Sequence, residues 1–156
     1  LNQFLPEPMA EARHFVEVKF MAPTTVQLQI GATQDDQAAL DLAACVGQYD
    51  LHTTTPETDG TTHYFFATRR NHRVDDAEYN AAKIKGMHDA FVDEDGPYVD
   101  AQYATIGNAD LMSLNPVLLS SDVGAVRARR ILRSVIADEV RRSQPDAADS
   151  RAVERV

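Results

Sequence analysis

From His14 to Phe20, apolar and polar positions alternate: Val16, Val18 and Phe20 fall on one side, Glu17 and Lys19 on the other. A period of two marks a half-buried β-strand. After Ala22-Pro23 the alternation resumes, with Val26, Leu28 and Ile30 set against Gln27 and Gln29 as far as Gly31. Two such neighbours predict an antiparallel sheet with one wet face. Residues 32–50 are acidic and alanine-rich with no clean period, which predicts a long loop with a short helical turn near Gln37 to Cys45. Leu51 to Thr55 then reads as a short strand, Pro56 to Gly60 as a turn, and Thr61 to Arg69, rich in aromatic and β-branched residues, as a further strand.

Beyond Arg70-Asn71 the period lengthens. Asp75 or Asp76 is placed to cap a helix, with Glu78 in its first turn. Ile84, His88, Phe91, Asp95, Tyr98 and Gln102 recur at steps of three and four, predicting one inward stripe with a carboxylate in its middle. An inward carboxylate flanked by Phe91 and Tyr98 needs a cation, a hydrogen-bond donor or a ligand, because desolvating a charge is costly. Gly96-Pro97 follows directly, and Pro97 should loosen or kink the helix there. Residues 106–119 read as irregular. Ser120, Ser121 and Asp122 precede a long helix with Ala128, Ile131, Leu132, Val135 and Ile136 on its apolar face and the arginines at 127, 129, 130 and 133 mostly outside it. Residues 1–12 read as a connecting segment, and from Gln144 the polar, small composition predicts a frayed tail. Strands first and helices after give an α+β class, helices covering one face of an antiparallel sheet.

Composition narrows the function. A chain of 156 residues, 44% hydrophobic, supports one modest core. Its formal charge of -9 argues against nucleic acid or an anionic membrane as principal partner. Cys45 is the sole cysteine, which leaves no intrachain disulfide and no Cys/His metal framework. No membrane span or signal peptide is evident, so a cytoplasmic location is expected. The chain opens on Leu1 and reaches a strand pattern early, so it is expected to be the C-terminal part of something longer.

Three blocks then combine. LHTTTPETDGTTHYFFATRRNHRVDD, AFVDEDGPYVDAQ and SSDVGAVRARRILRSVIADE, in that order, resemble the C-terminal catalytic region of Rieske non-haem iron oxygenases, in the vanillate O-demethylase and dicamba monooxygenase branch. Most specific are the TPET turn with the following THYF strand, and the Glu94-Asp95 pair. The resemblance implies a helix-grip (START-like) fold, an antiparallel sheet around a long C-terminal helix, of which residues 1–143 would be the C-terminal portion. It implies a mononuclear Fe(II) held by two histidines and one carboxylate, the latter similar in position to Asp95. Such a facial set leaves one side of the metal open for oxygen and substrate. His52 is similar in position to a substrate-contacting residue. Where Leu28 and Gly86 stand, the dicamba-type relatives carry a polar side chain and a bulky aromatic, so this substrate is expected to differ in shape and to be less polar at that end.

The departures are as informative. No pair among His14, His52, His63, His72 and His88 has the family's iron-ligand spacing, and a lone cysteine cannot bind the [2Fe-2S] Rieske cluster, which belongs to a separate N-terminal domain absent from this chain. The chain alone is therefore expected to be inactive, and a reductase or ferredoxin donor, a small aromatic substrate and a homo-oligomer, trimeric as in relatives, belong to the expectation for the full-length protein. A plainer reading stands beside each residue: Asp95 as a solvated helix residue, His52 as a strand-end histidine, His88 as a satisfied buried one, and the arginine-rich helix face as solvated surface rather than a subunit or donor contact. The rival function is a non-catalytic helix-grip module that binds an apolar molecule without metal.

Overall fold

The computed structural model describes residues 11–143, so the expectations for residues 1–10 and for the tail from Gln144 lie outside the described residues. Four strands, β1 (Arg13–Met21), β2 (Thr25–Thr33), β3 (Val46–Pro56) and β4 (Thr62–Arg70), form one antiparallel sheet in sequence order. Three α-helices follow: α1 (Ala77–His88), α2 (Asp95–Ile106) and α3 (Val123–Ser143). The arrangement is the α+β class expected, and it is consistent with a helix-grip-like fold.

Register places Val16 opposite Ile30, Ile30 opposite Gln48 and Gln48 opposite Arg70. Because side chains alternate, Leu28, Gln48, Asp50, His52, Phe66 and Thr68 share that face. On the other face Gln29 Nε2 donates to Glu17 Oε2 at 3.1 Å across the β1–β2 pair. The β3–β4 turn is tied by the Thr58 hydroxyl, which accepts from the Gly60 and Thr61 amides at 3.2 and 3.0 Å.

β3 begins well before Leu51, inside the stretch expected to be a loop. Gly47, Gln48 and Asp50 are poor strand formers, and their pairing is carried by tertiary context. Gly47 meets Gly31 across the pair, where a Cβ on Gly47 would lie 2.1 Å from the Ile30 carbonyl oxygen and 2.7 Å from the Gly31 Cα. The loop before it includes the expected helical turn, closed where the Cys45 amide donates to the Asp41 carbonyl at 2.9 Å. It is held by Arg13, whose guanidinium donates to the Asp36 and Ala38 carbonyls at 2.5 and 3.1 Å, and by Asn71, whose amide donates to the Cys45 carbonyl at 2.8 Å. Ala32 of β2 and the loop's own Leu42 and Cys45 are buried. Replacing Gly47 with alanine should therefore cost about 1–3 kcal/mol, since backbone rather than a movable side chain occupies the space. Urea unfolding should show a lower midpoint at unchanged slope.

Asp76 caps α1, its carboxylate accepting from the Tyr79 amide at 2.9 Å. Between α1 and α2, Asp89–Glu94 widen into a π-helical turn in which the Asp95 amide reaches the Ala90 carbonyl. Pro97 lacks the N–H that a regular helix would give to the Asp93 carbonyl, so the expected loosening is present and centred on the turn before it.

The chain divides into two compact units, the second starting at Leu118. Within it, Asp122 Oδ2 accepts from the Leu119 amide at 2.8 Å just ahead of α3. Along α3, Ala128, Leu132 and Val135 are half-buried, Ile131 and Ile136 exposed, and the four expected arginines all exposed.

Candidate active site

A cavity of about 470 Å³ lies between α1 and the sheet. Its sheet wall is Leu28 and Ile30 from β2 with Gln48, Asp50 and His52 from β3. The opposite wall is Tyr79, Ala82, Lys83, Gly86, Met87, Ala90 and Phe91, which follow one another at helical spacing. Leu28, His52 and Gly86, the three expected substrate contacts, all line this one space.

The inward stripe is therefore not the one the spacing predicted. Only Phe91 is shared, while Ile84 and Tyr98 are 69% and 75% exposed, and His88, Asp95 and Gln102 are exposed too. Two causes combine. The predicted start took Ile84 as the apolar anchor, whereas the cavity face carries small residues and a lysine; and the π-helical turn breaks the period, so a stripe extrapolated through it arrives on the wrong side. The supposed desolvation of Asp95 does not hold in this chain. Asp95 is not among the cavity-lining residues, and its carboxylate acts on the site only electrostatically, by helping to raise Tyr64.

At that end Phe91 meets His52 edge-on at 4.9 Å and Tyr64 at 6.2 Å, with Phe66 5.0 Å away. His52 Nδ1 and the Tyr64 hydroxyl are 2.5 Å apart. Burial pushes the Tyr64 phenol above its ordinary value, and the Asp95 and Asp50 carboxylates push the same way. Burial lowers His52 below 6.5, partly opposed by Asp50. His52 is thus a neutral imidazole near pH 7, and its Nε2 is buried without a partner. A depressed histidine contributes stability above the unfolded value of about 6.5 that is lost as pH falls through its folded value. An NMR titration of the His52 ring should give a midpoint below 6.5; a midpoint above it contradicts this environment.

The polar end was missed by sequence reasoning. Gln48 and Asp50 are 1% and 4% exposed, and Gln48 Nε2 donates to both Asp50 oxygens at 2.9 and 2.7 Å. Lys83, 8% exposed, stands on the α1 wall, its ammonium lowered by burial and raised by Asp50. The period of two linking Gln48, Asp50 and His52 was the available signal, hidden by treating residues 32–50 as loop.

Among the described residues, one group with three donors within 4.8 Å of one another is His88, Asp89 and Asp93. His88 and Asp93 are exposed, and Asp89 is already paired with Lys85 at 2.5 Å. Asp95 is not in that group. The described residues thus do not assemble a three-donor set that includes Asp95.

The model of the vanillate O-demethylase oxygenase C-terminal domain family matches residues 1–138. The chain belongs to that family. Over 90 residues, 58% of the chain and 26% of the relative, this vanillate O-demethylase-type domain is 38% identical to the oxygenase component of chloroacetanilide N-alkylformylase from Rhizorhabdus wittichii. Over 79 residues, 51% of the chain and 23% of the relative, it is 35% identical to the oxygenase component of dicamba O-demethylase from Stenotrophomonas maltophilia. The matched part spans about a quarter of the length of these curated relatives. No helix among the described residues is long and apolar enough to cross a membrane.

Proposed function

We propose that this domain is the substrate-holding part of a Rieske-type non-haem iron oxygenase, which in its full-length form O-demethylates, N-dealkylates or hydroxylates a small, largely apolar arene. One observation carries the reading: within a family of oxygenase C-terminal domains, Leu28, His52 and Gly86 meet in a single cavity that ends on Phe91. The iron, when bound, would supply oxygen activation with electrons from a reductase or ferredoxin, and Asp95 would give it one carboxylate oxygen. Its remaining ligands come from outside the described residues, and the cluster from a separate domain.

The chain's own residues bind and orient. Leu28, Ile30, Met87 and Phe91 remove apolar surface from water, which favours an arene by about 25 cal/mol per Å² buried. His52, fixed by Tyr64 through Nδ1, gives the cavity a flat imidazole wall beside Phe91. Gly86 leaves room where a side chain would stand, for nothing lies within 4 Å of a Cβ built there. A trimeric assembly and a cytoplasmic location are part of the same proposal.

The full-length protein, supplied with its reductase and a panel of methoxyarenes and N-alkyl anilides, should consume oxygen and release aldehyde from at least one of them. Tight arene binding by a protein that takes up no iron on reconstitution would instead establish the non-catalytic binding module.

A further inference from the structure

We infer that Lys83 is a specificity-determining residue of the cavity, its ammonium selecting arenes that carry a hydrogen-bond acceptor such as a carbonyl oxygen, an inference that rests on reading this cavity as the substrate site. Lys83 lines the cavity four residues after Tyr79 and three before Gly86, on the face of α1 that forms the helical wall. It is 8% exposed, whereas Lys85, two residues on, carries a side chain 76% exposed. One lysine of α1 thus turns inward and the other to water. The Lys83 ammonium also feels the carboxylate of Asp50, which stands on the opposite wall of the same space.

A lysine beside an apolar surface ordinarily stretches to keep its charge in water. Lys83 is buried instead, and burial disfavours its charge more than Asp50 supports it. An acceptor that enters the cavity therefore replaces part of the hydration that folding removed. An ammonium has three N–H donors, so it can serve its protein neighbours and a ligand at once. The other polar groups of the wall are less suited to an acceptor. Both Asp50 oxygens accept from Gln48 Nε2, at 2.9 and 2.7 Å, and the Tyr79 hydroxyl is 3.3 Å from His72 Nε2. Leu28, Ile30, Ala82 and Met87 take up a ring and donate nothing. Because Asp50 offsets the charge of Lys83, a neutral lone pair is enough to satisfy this end, and a full negative charge gains little over it.

Three probes test this: 4-propylacetophenone, its isosteric alkene 1-isopropenyl-4-propylbenzene, and 4-propylbenzoate, each titrated calorimetrically into the full-length protein without its reductase. The ketone should bind about tenfold or more tighter than the alkene, the worth of one hydrogen bond to a charged group. In Lys83→Met, of similar length and no charge, that ratio should collapse towards one. Asp50→Asn keeps an oxygen for Gln48 but removes the opposing charge, so the benzoate should gain about tenfold on the ketone. If Lys83→Met does not fold, the wild-type ratio and Asp50→Asn decide. Equal binding of ketone and alkene, a ratio that survives Lys83→Met, a benzoate that gains nothing in Asp50→Asn, or failure of all three probes to bind overturns the role of Lys83. Iron content and oxygen consumption measured on the same protein keep the two readings apart. The predicted ratios without iron would sink the oxygenase and leave the selectivity standing, while turnover without the ratios would do the reverse.

Discussion

Asp95→Ala in the full-length protein should cost most of its mononuclear iron while leaving the fold in place. The side chain is exposed and lies outside the cavity wall, so its removal leaves no hole and no orphaned partner, and the stability change should stay within about 0.5 kcal/mol. A ligand is another matter. Losing the only anionic member of a two-histidine, one-carboxylate set should lower metal affinity by more than the roughly 10–100-fold typical of losing a group that merely supports a ligand. Metal analysis after desalting, beside a thermal melt, separates these effects. Full iron retention would move the ligand elsewhere. An unfolded variant would show that Asp95 is structural, contrary to its exposure.

The second large effect is expected at Gly86. Position 86 lines the cavity and is open on all sides to a Cβ, so phenylalanine there should point into free space rather than into backbone. The ring would occupy the place of the substrate. Binding of 4-propylphenol should weaken by about tenfold or more, equivalent to at least roughly 1.4 kcal/mol. The helix itself should gain, because glycine within α1 is about 1 kcal/mol worse than alanine. Gly86→Ala supplies the control: a higher melting temperature with little change in binding. If Gly86→Phe bound the phenol as well as wild type, the ligand site would lie elsewhere.

How legible this site was depended on which signals were local. The alternation in β1, β2 and β4 is a property of neighbours in sequence, and it placed Leu28 on the face that now lines the cavity. The Asp76 cap and the loosening near Pro97 are local too. β3 was half hidden, since Gly47, Gln48 and Asp50 form a strand only because Gly31 makes room and α1 covers them; propensity carries no record of either. Lys83 has the same history, a cation on a face that helical spacing alone would assign to Ile84. Asp95 shows the opposite failure. Its stripe was regular on paper, but a regular period assumes an unbroken α-helix, and the π-helical turn at Asp89–Glu94 removes that assumption. What kept Asp95 in the account was the resemblance of the blocks around it and its electrostatic reach to Tyr64.

The central claim is that one cavity holds the arene beside an iron bound at Asp95. Crystals of the full-length protein soaked with 4-bromophenol allow bromine and iron to be located independently by anomalous scattering. The bromophenol should lie among Leu28, His52 and Gly86, with iron on the Asp95 carboxylate beyond Phe91. Bromine outside that cavity, or iron on His88, Asp89 and Asp93 with Asp95 bare, would contradict the account.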